Sequence, residues 1–290
     1  MFAAAAEQYL PVVDVVDDTA ERRRVVGLLR RAAEQAALVG DYALVNALLA
    51  AGLRLTDPGE TATLVAVHTA RHAALYSLGR LEDADEEYRA IDRLGPTATR
   101  RANATAVQVR SLTHRNHFGE AIDLGIGLLR ELGITVPAAD QLAAELDHQF
   151  SHLYRWLDHN QAADDLARRD ITDPVLLAAC QLLNAILPAA YFAGDAITLG
   201  WLSLEALRIW IEHGPAASLV YPATYIGFPA ITLRGDYTAG YQAARQILAL
   251  AEARGYEPGT SQARLMFYAF SCGPSRSKTV SGRLSGLGKG

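Results

Sequence analysis

One turn recurs along this chain and limits what it can fold into. Five times an apolar helical stretch is followed by glycine or asparagine, then a second residue, then an aromatic or aliphatic one, then another helical stretch. The sites are Gly40-Asp41-Tyr42, Gly79-Arg80-Leu81, Asn116-His117-Phe118, Gly194-Asp195-Ala196 and Gly235-Asp236-Tyr237. The residue that ends a helix often takes a positive φ, which glycine adopts freely and asparagine next best. An aspartate placed just after it can accept amide hydrogen bonds from the first turn of the next helix. A chain punctuated in this way is expected to be all-α and built of helical hairpins.

The spacing of the turns points to repeats. Gly79 follows Gly40 by 39 residues and Asn116 follows Gly79 by 37, slightly longer than the 34 of a tetratricopeptide repeat. Aligned on the turn, the second helices carry Val45, Ala84, Ala121 and Gly240 where a small residue lets paired helices approach closely. Four residues later stand Leu49, Tyr88, Gly125 and Ala244, and Pro96 sits where such a repeat often ends. The first helices carry Ala33, His72, Val109 and Phe228 at a position that should also be small, and only Ala33 complies. The expected fold is therefore a tetratricopeptide-like α-solenoid with irregular geometry.

These signals divide the chain. Residues 1–18 form an N-terminal extension and 19–138 three hairpins, closed by the apolar, Gly- and Pro-punctuated stretch Leu132 to Ala139. Residues 139–270 form a second lobe: a helix from about Asp140 to His159, a polar run from Asn160 to Asp173, and two further hairpins. Residues 271–290 are rich in Gly and Ser; from Gly273 onward they carry Arg276, Lys278, Arg283 and Lys289 with no acid, as expected of a disordered basic tail.

Composition narrows the function classes. Half of the 290 residues are hydrophobic and a fifth are charged, which suits a globular chain. A net charge of -5, spread along the sequence, gives no nucleic-acid footprint. Cys180 and Cys272 stand far apart, so no disulfide framework is expected, and the start of the chain lacks a basic n-region before its Ala-rich stretch. The segments 174–194 and 214–233 hold no charged residue and reach membrane-spanning length. Gln181, Asn184 and Pro188 in the first, and Pro222, Gly227 and Pro229 in the second, favour buried helices of a cytoplasmic protein instead.

No pattern of catalytic chemistry stands out. His68 and His72, His114 and His117, then His148, His152 and His159 are spaced to share helix faces, and Glu145 with His148 makes one Glu-x-x-His pair. Di-iron bundles need that motif twice, and the zinc-protease HExxH is absent, so the histidines read as helix-face residues. Gly286 to Gly290 fails as a phosphate loop because Arg283 stands where its first glycine is needed. No GxSxG elbow occurs, and the acid pairs Asp17-Asp18 and Asp164-Asp165 lie in polar stretches. No catalytic, cofactor-binding or metal-ligating residue is assigned.

Stacked hairpins build a groove lined by their first helices. The turn alignment places Arg30, Glu34, Tyr76, Asn103, Arg110, His114 and Tyr225 on it. Arg30 and Glu34 stand where the Lys and Asn of a carboxylate clamp would be wanted, which argues against a receptor for C-terminal tails.

From about Ala20 to Phe270 the chain resembles the tetratricopeptide-like helical region of large bacterial signalling ATPases, in which a kinase or regulator domain and a nucleotide-binding ATPase precede the helices. The resemblance is carried by Leu132 to Pro137, Ile171 to Pro174, Glu212-His213-Gly214 and Gly235 to Tyr241. It implies a non-catalytic interaction and regulatory module that serves a protein partner or a neighbouring ATPase or kinase domain. The P-loop, kinase signature and output domain of that family are missing, so the chain is expected to be a piece of a longer protein, with its tail a truncated or frameshifted continuation. Two other readings stay open: the effector-sensing helical domain of a transcription regulator, and a metal-dependent enzyme built around His148 and His152.

Overall fold

A computed structural model describes residues 2–138, 140–159 and 167–271. The basic tail from 272 onward, Cys272 with it, and most of the polar run after His159 lie outside these residues. The described chain is all-helical, with no strand among the described residues. It falls into two compact units, Met1–Ile134 and Thr135–Gly290.

The first unit runs α1 (Phe2–Tyr9), a 3₁₀ turn (Leu10–Val15), α2 (Thr19–Leu38), α3 (Tyr42–Leu55), α4 (Thr61–Ser77), α5 (Leu81–Arg93), α6 (Ala98–His114) and α7 (Phe118–Glu131). α2 packs on α3, α4 on α5 and α6 on α7, while α3 meets α4, and α6 meets both α4 and α5. The second unit runs α8 (Leu142–His159), α9 (Pro174–Phe192), α10 (Ala196–His213), α11 (Ala217–Thr224), α12 (Gly227–Arg234), α13 (Tyr237–Arg254) and α14 (Gly259–Ser271). There α10 packs on α8, α9 and α11, and α13 packs on α11, α12 and α14.

All five sequence-marked turns have the left-handed residue expected of them: Gly40, Gly79, Asn116, Gly194 and Gly235 lie at φ between 63° and 76°. At the first, the Gly40 amide donates to Ala37 and the Asp41 amide to Ala36, each at about 3 Å, which satisfies carbonyls the helix end leaves open. Asp41, Asp195 and Asp236 then cap the following helices by accepting from the amides of Leu44, Thr198 and Ala239. Arg80 and His117 make no such cap.

The close-approach positions follow the same logic. Val45, Ala84 and Ala121 are buried at 3%, 0% and 0% exposure. A Cβ on Gly240 would stand 3.1 Å from the Gly227 backbone, so α13 and α12 meet there with no room for a side chain. Gly214 is stricter: its φ is +110°, and a Cβ would lie 2.4 Å from the Arg169 carbonyl.

The two uncharged segments take different forms. Residues 214–233 break into two short helices, with Gly227 and Pro229 in the first turn of α12, where a missing amide costs nothing. α9 stays one helix, long and apolar enough by length and composition to cross a membrane, at a mean hydropathy of 1.8, and 56% of it is buried within the second unit.

Candidate binding groove

The first helices of the first unit supply a face of small side chains. Ala66, Ala70, Ala73, Ala74 and Ser77 recur on one side of α4, and Ala33 and Ala37 on α2, with Tyr42, Val45 and Leu49 of α3 behind them. Together they enclose a groove of about 370 Å³, with Arg30 and Glu34 also among its lining residues. Small residues leave space where two helices diverge, and the space is apolar because their methyls line it. Arg30 is half-buried and Glu34 exposed, so one cation and one anion lie one helical turn apart in an otherwise apolar groove.

The α4–α6 boundary carries the next cluster. The Tyr76 hydroxyl lies 3.0 Å from Nδ1 of His114, and the two rings stack with centroids 5.7 Å apart. Burial raises the Tyr76 pKa, and the nearby Arg110 charge opposes the rise. Asn103, Arg110 and His114 are all exposed on α6. Six of the seven residues expected on the groove are thus in the first unit: Arg30 and Glu34 in one concavity, Tyr76, Arg110 and His114 in a second group, and Asn103 exposed in neither.

Tyr225 is the exception. It lies in the second unit at 4% exposure, packed edge-on against Tyr191 and Tyr221 at 5.9 and 5.2 Å. Burial first, and then Tyr221, push its pKa up. The turn alignment misplaces it because α11 and α12 divide at Gly227, so Tyr225 terminates a short helix instead of facing outward from a long one.

A polar network joins α4, α5 and α6. Glu87, 7% exposed, receives His68 at 2.7 Å and pairs with Arg71, whose Nε donates to Asn46 at 2.9 Å. His72, fully buried, meets Gln108 at 3.0 Å; the Gln108 amide donates to Asp85 at 2.7 Å, and Arg115 grips that carboxylate with both terminal nitrogens. Burial depresses the His72 pKa against the raising effect of Gln108. Burial would raise that of Asp85, but the hydrogen bonds from Arg115 and Gln108 outweigh it and lower it. The single hint was His72 itself, a large polar residue at a position where the repeat wants a small one.

In the second unit, His148 and His152 of α8 come together with Nε2 atoms 3.3 Å apart. No group of three or more His, Cys, Asp or Glu side chains arranged to hold a metal ion occurs among the described residues. The His159 side chain lies outside those described.

Comparison with family models, with curated proteins and with solved structures finds no match to this chain.

Proposed function

We propose that this chain is a non-catalytic interaction and regulatory module, a tetratricopeptide-like array in the cytoplasm that holds a segment of a protein partner or of a neighbouring ATPase or kinase domain in the groove of its first unit. One observation carries the reading: an apolar concavity of about 370 Å³ on the first-helix face, lined by alanines and flanked by Arg30 and Glu34. An apolar floor accepts one aliphatic side chain of a partner segment, and the two charges select polar groups on either side of it. Tyr76, Arg110 and His114 offer aromatic and cationic contacts on the neighbouring helices. The resemblance to signalling ATPases supplies the kind of partner.

The experiment is affinity capture from the native host with the intact chain and with Ala70→Trp. Ala70 is exposed, so tryptophan fills the groove without entering the core. A partner retained by the parent and lost by the variant is the expected result; equal capture by both would remove the groove from the account.

The same volume favours a second reading, in which the groove holds a small effector, because small-molecule sites start at about 300 Å³. Native mass spectrometry of the chain purified from its host separates the two. A bound small molecule displaced by Ala70→Trp selects the effector-sensing domain.

A further inference from the structure

Two arginines at the α4–α6 boundary are committed to carboxylates: Arg71 of α4 pairs with Glu87, and Arg115 at the end of α6 grips Asp85. A third, Arg110 of α6, has no hydrogen-bond or ion-pair partner among the described residues. Although the residue is exposed, the surrounding protein takes enough water from its guanidinium to lower its pKa, and the group acting against the fall is Tyr76, not a carboxylate. Tyr76 in turn meets His114, with its hydroxyl 3.0 Å from Nδ1 and the rings stacked. Whichever way that bond runs, the pair keeps a donor to spare. If the hydroxyl donates, an imidazole N–H remains at Nε2; if Nδ1 donates, the hydroxyl proton is free.

We propose that Arg110, Tyr76 and His114 form a receptor for a side-chain carboxylate, an Asp or Glu of the same partner segment whose aliphatic residue fills the alanine-lined groove. The proposal deepens the groove reading and rests on the groove as the seat of that segment. The two sites adjoin, since Ala73 and Ser77 line the groove on α4 and bracket Tyr76 in the chain. A guanidinium offers a fork of donors that matches the two oxygens of a carboxylate, and its single charge balances the single charge of the acid. A phosphate monoester, at about -1.5 to -2, would leave charge that one guanidinium does not balance. Asp85 and Glu87 do not compete for Arg110, because each is already held by its own arginine.

The test is selection of short random peptides displayed on phage against the intact chain, Arg110→Gln, Arg130→Gln and Ala70→Trp, each checked for fold by far-UV circular dichroism. The parent is expected to enrich peptides with an Asp or Glu at a fixed distance from an aliphatic residue. Arg110→Gln should lose the acid and keep the aliphatic residue, while Arg130→Gln, which removes an exposed cation of α7, should keep both. A synthetic peptide of the selected sequence should bind the parent at least about tenfold tighter with Glu than with Gln at the acidic position, and no tighter with phosphoserine. No enrichment, selected peptides without an acidic position, an acidic preference that survives Arg110→Gln, or tighter binding of phosphoserine overturns the carboxylate site. Failure of the groove looks different: Ala70→Trp would then leave the aliphatic preference in place.

Discussion

The described parts of residues 1–134 and 135–290 are both helical, yet their helix contacts are built from different chemistry. In the first unit ionisable and amide side chains cross from one helix to another: His68 and Arg71 of α4 reach Glu87 of α5, and His72 of α4 reaches Asp85 of α5 through Gln108 of α6. In the second unit the largest fully buried side chains include Trp201, Trp210, Phe150, Leu182 and Leu183. Two of its buried hydroxyls are satisfied within their own helices, as Ser203 donates to Leu199 and Thr224 to Val220. Side chains do cross between helices there, Gln149 of α8 to Glu205 of α10 in the interior, and Arg234 of α12 to Asp147 of α8 and Arg264 of α14 to Glu252 of α13 on exposed ground. A bond between helices depends on which helix is the neighbour and at what height; a bond to a residue one turn back does not. The first unit therefore sets helix register largely with directed polar contacts in its interior, and the second mainly with volume and close approach at glycine.

The chain carries a probe that separates the two. All three tryptophans, Trp156, Trp201 and Trp210, belong to the second unit, so their fluorescence follows that unit while circular dichroism follows both. The largest effect is expected from Trp210→Ala, which empties a site only 1% exposed and should cost about 3–5 kcal/mol. Denaturant unfolding followed by the remaining tryptophans reads it. Trp210→Phe should cost far less, because the indole N–H it removes has no hydrogen-bond partner among the described residues.

Asp85→Ala should cost less, about 1–3 kcal/mol, by stranding Gln108 and the half-buried Arg115. It should shift the dichroism transition and leave tryptophan fluorescence in place; movement of both would break the distinction between the units.

pH gives a smaller and graded effect. The folded pKa of His72 lies below its unfolded value, so the unfolded chain binds the proton more readily. The stabilisation is complete above about pH 6.5 and declines as the pH falls, by at most about 1.4 kcal/mol per unit. Denaturation midpoints of the first unit at pH 7 and 5.5 measure it, and His72→Gln should flatten the profile over that window.

The smallest difference is expected at the caps. Asp41→Ala and Asp195→Ala each remove one side-chain bond to a helix amide and should each cost about 1 kcal/mol in their own unit. Equal costs would show that the units differ in packing between helices and not in how each helix starts.

The helices and turns were legible in the sequence because they depend on neighbours within a few residues. Positive φ demands Gly or Asn wherever it occurs, and a capping Asp acts on an amide three residues away. The groove was legible in part: of the seven residues counted from the turns onto the first-helix face, Arg30 and Glu34 line it. The alanines between them looked like ordinary helix formers, because only the divergence of α2 and α4 turns a run of small side chains into a concavity. The helix-height count failed at Tyr225, where Gly227 and Pro229 divide one expected helix in two. His148 and His152 were visible as a spacing, but an i, i+4 pair says nothing about rotamers or about which charges the facing helix brings. Local backbone demands thus settled where this chain turns and which residue types it needs there. Which buried charges meet, as Glu87 meets His68 and Arg71, was left to the tertiary structure, since such contacts join residues 16 and 19 positions apart and are compensated only once their helices pack.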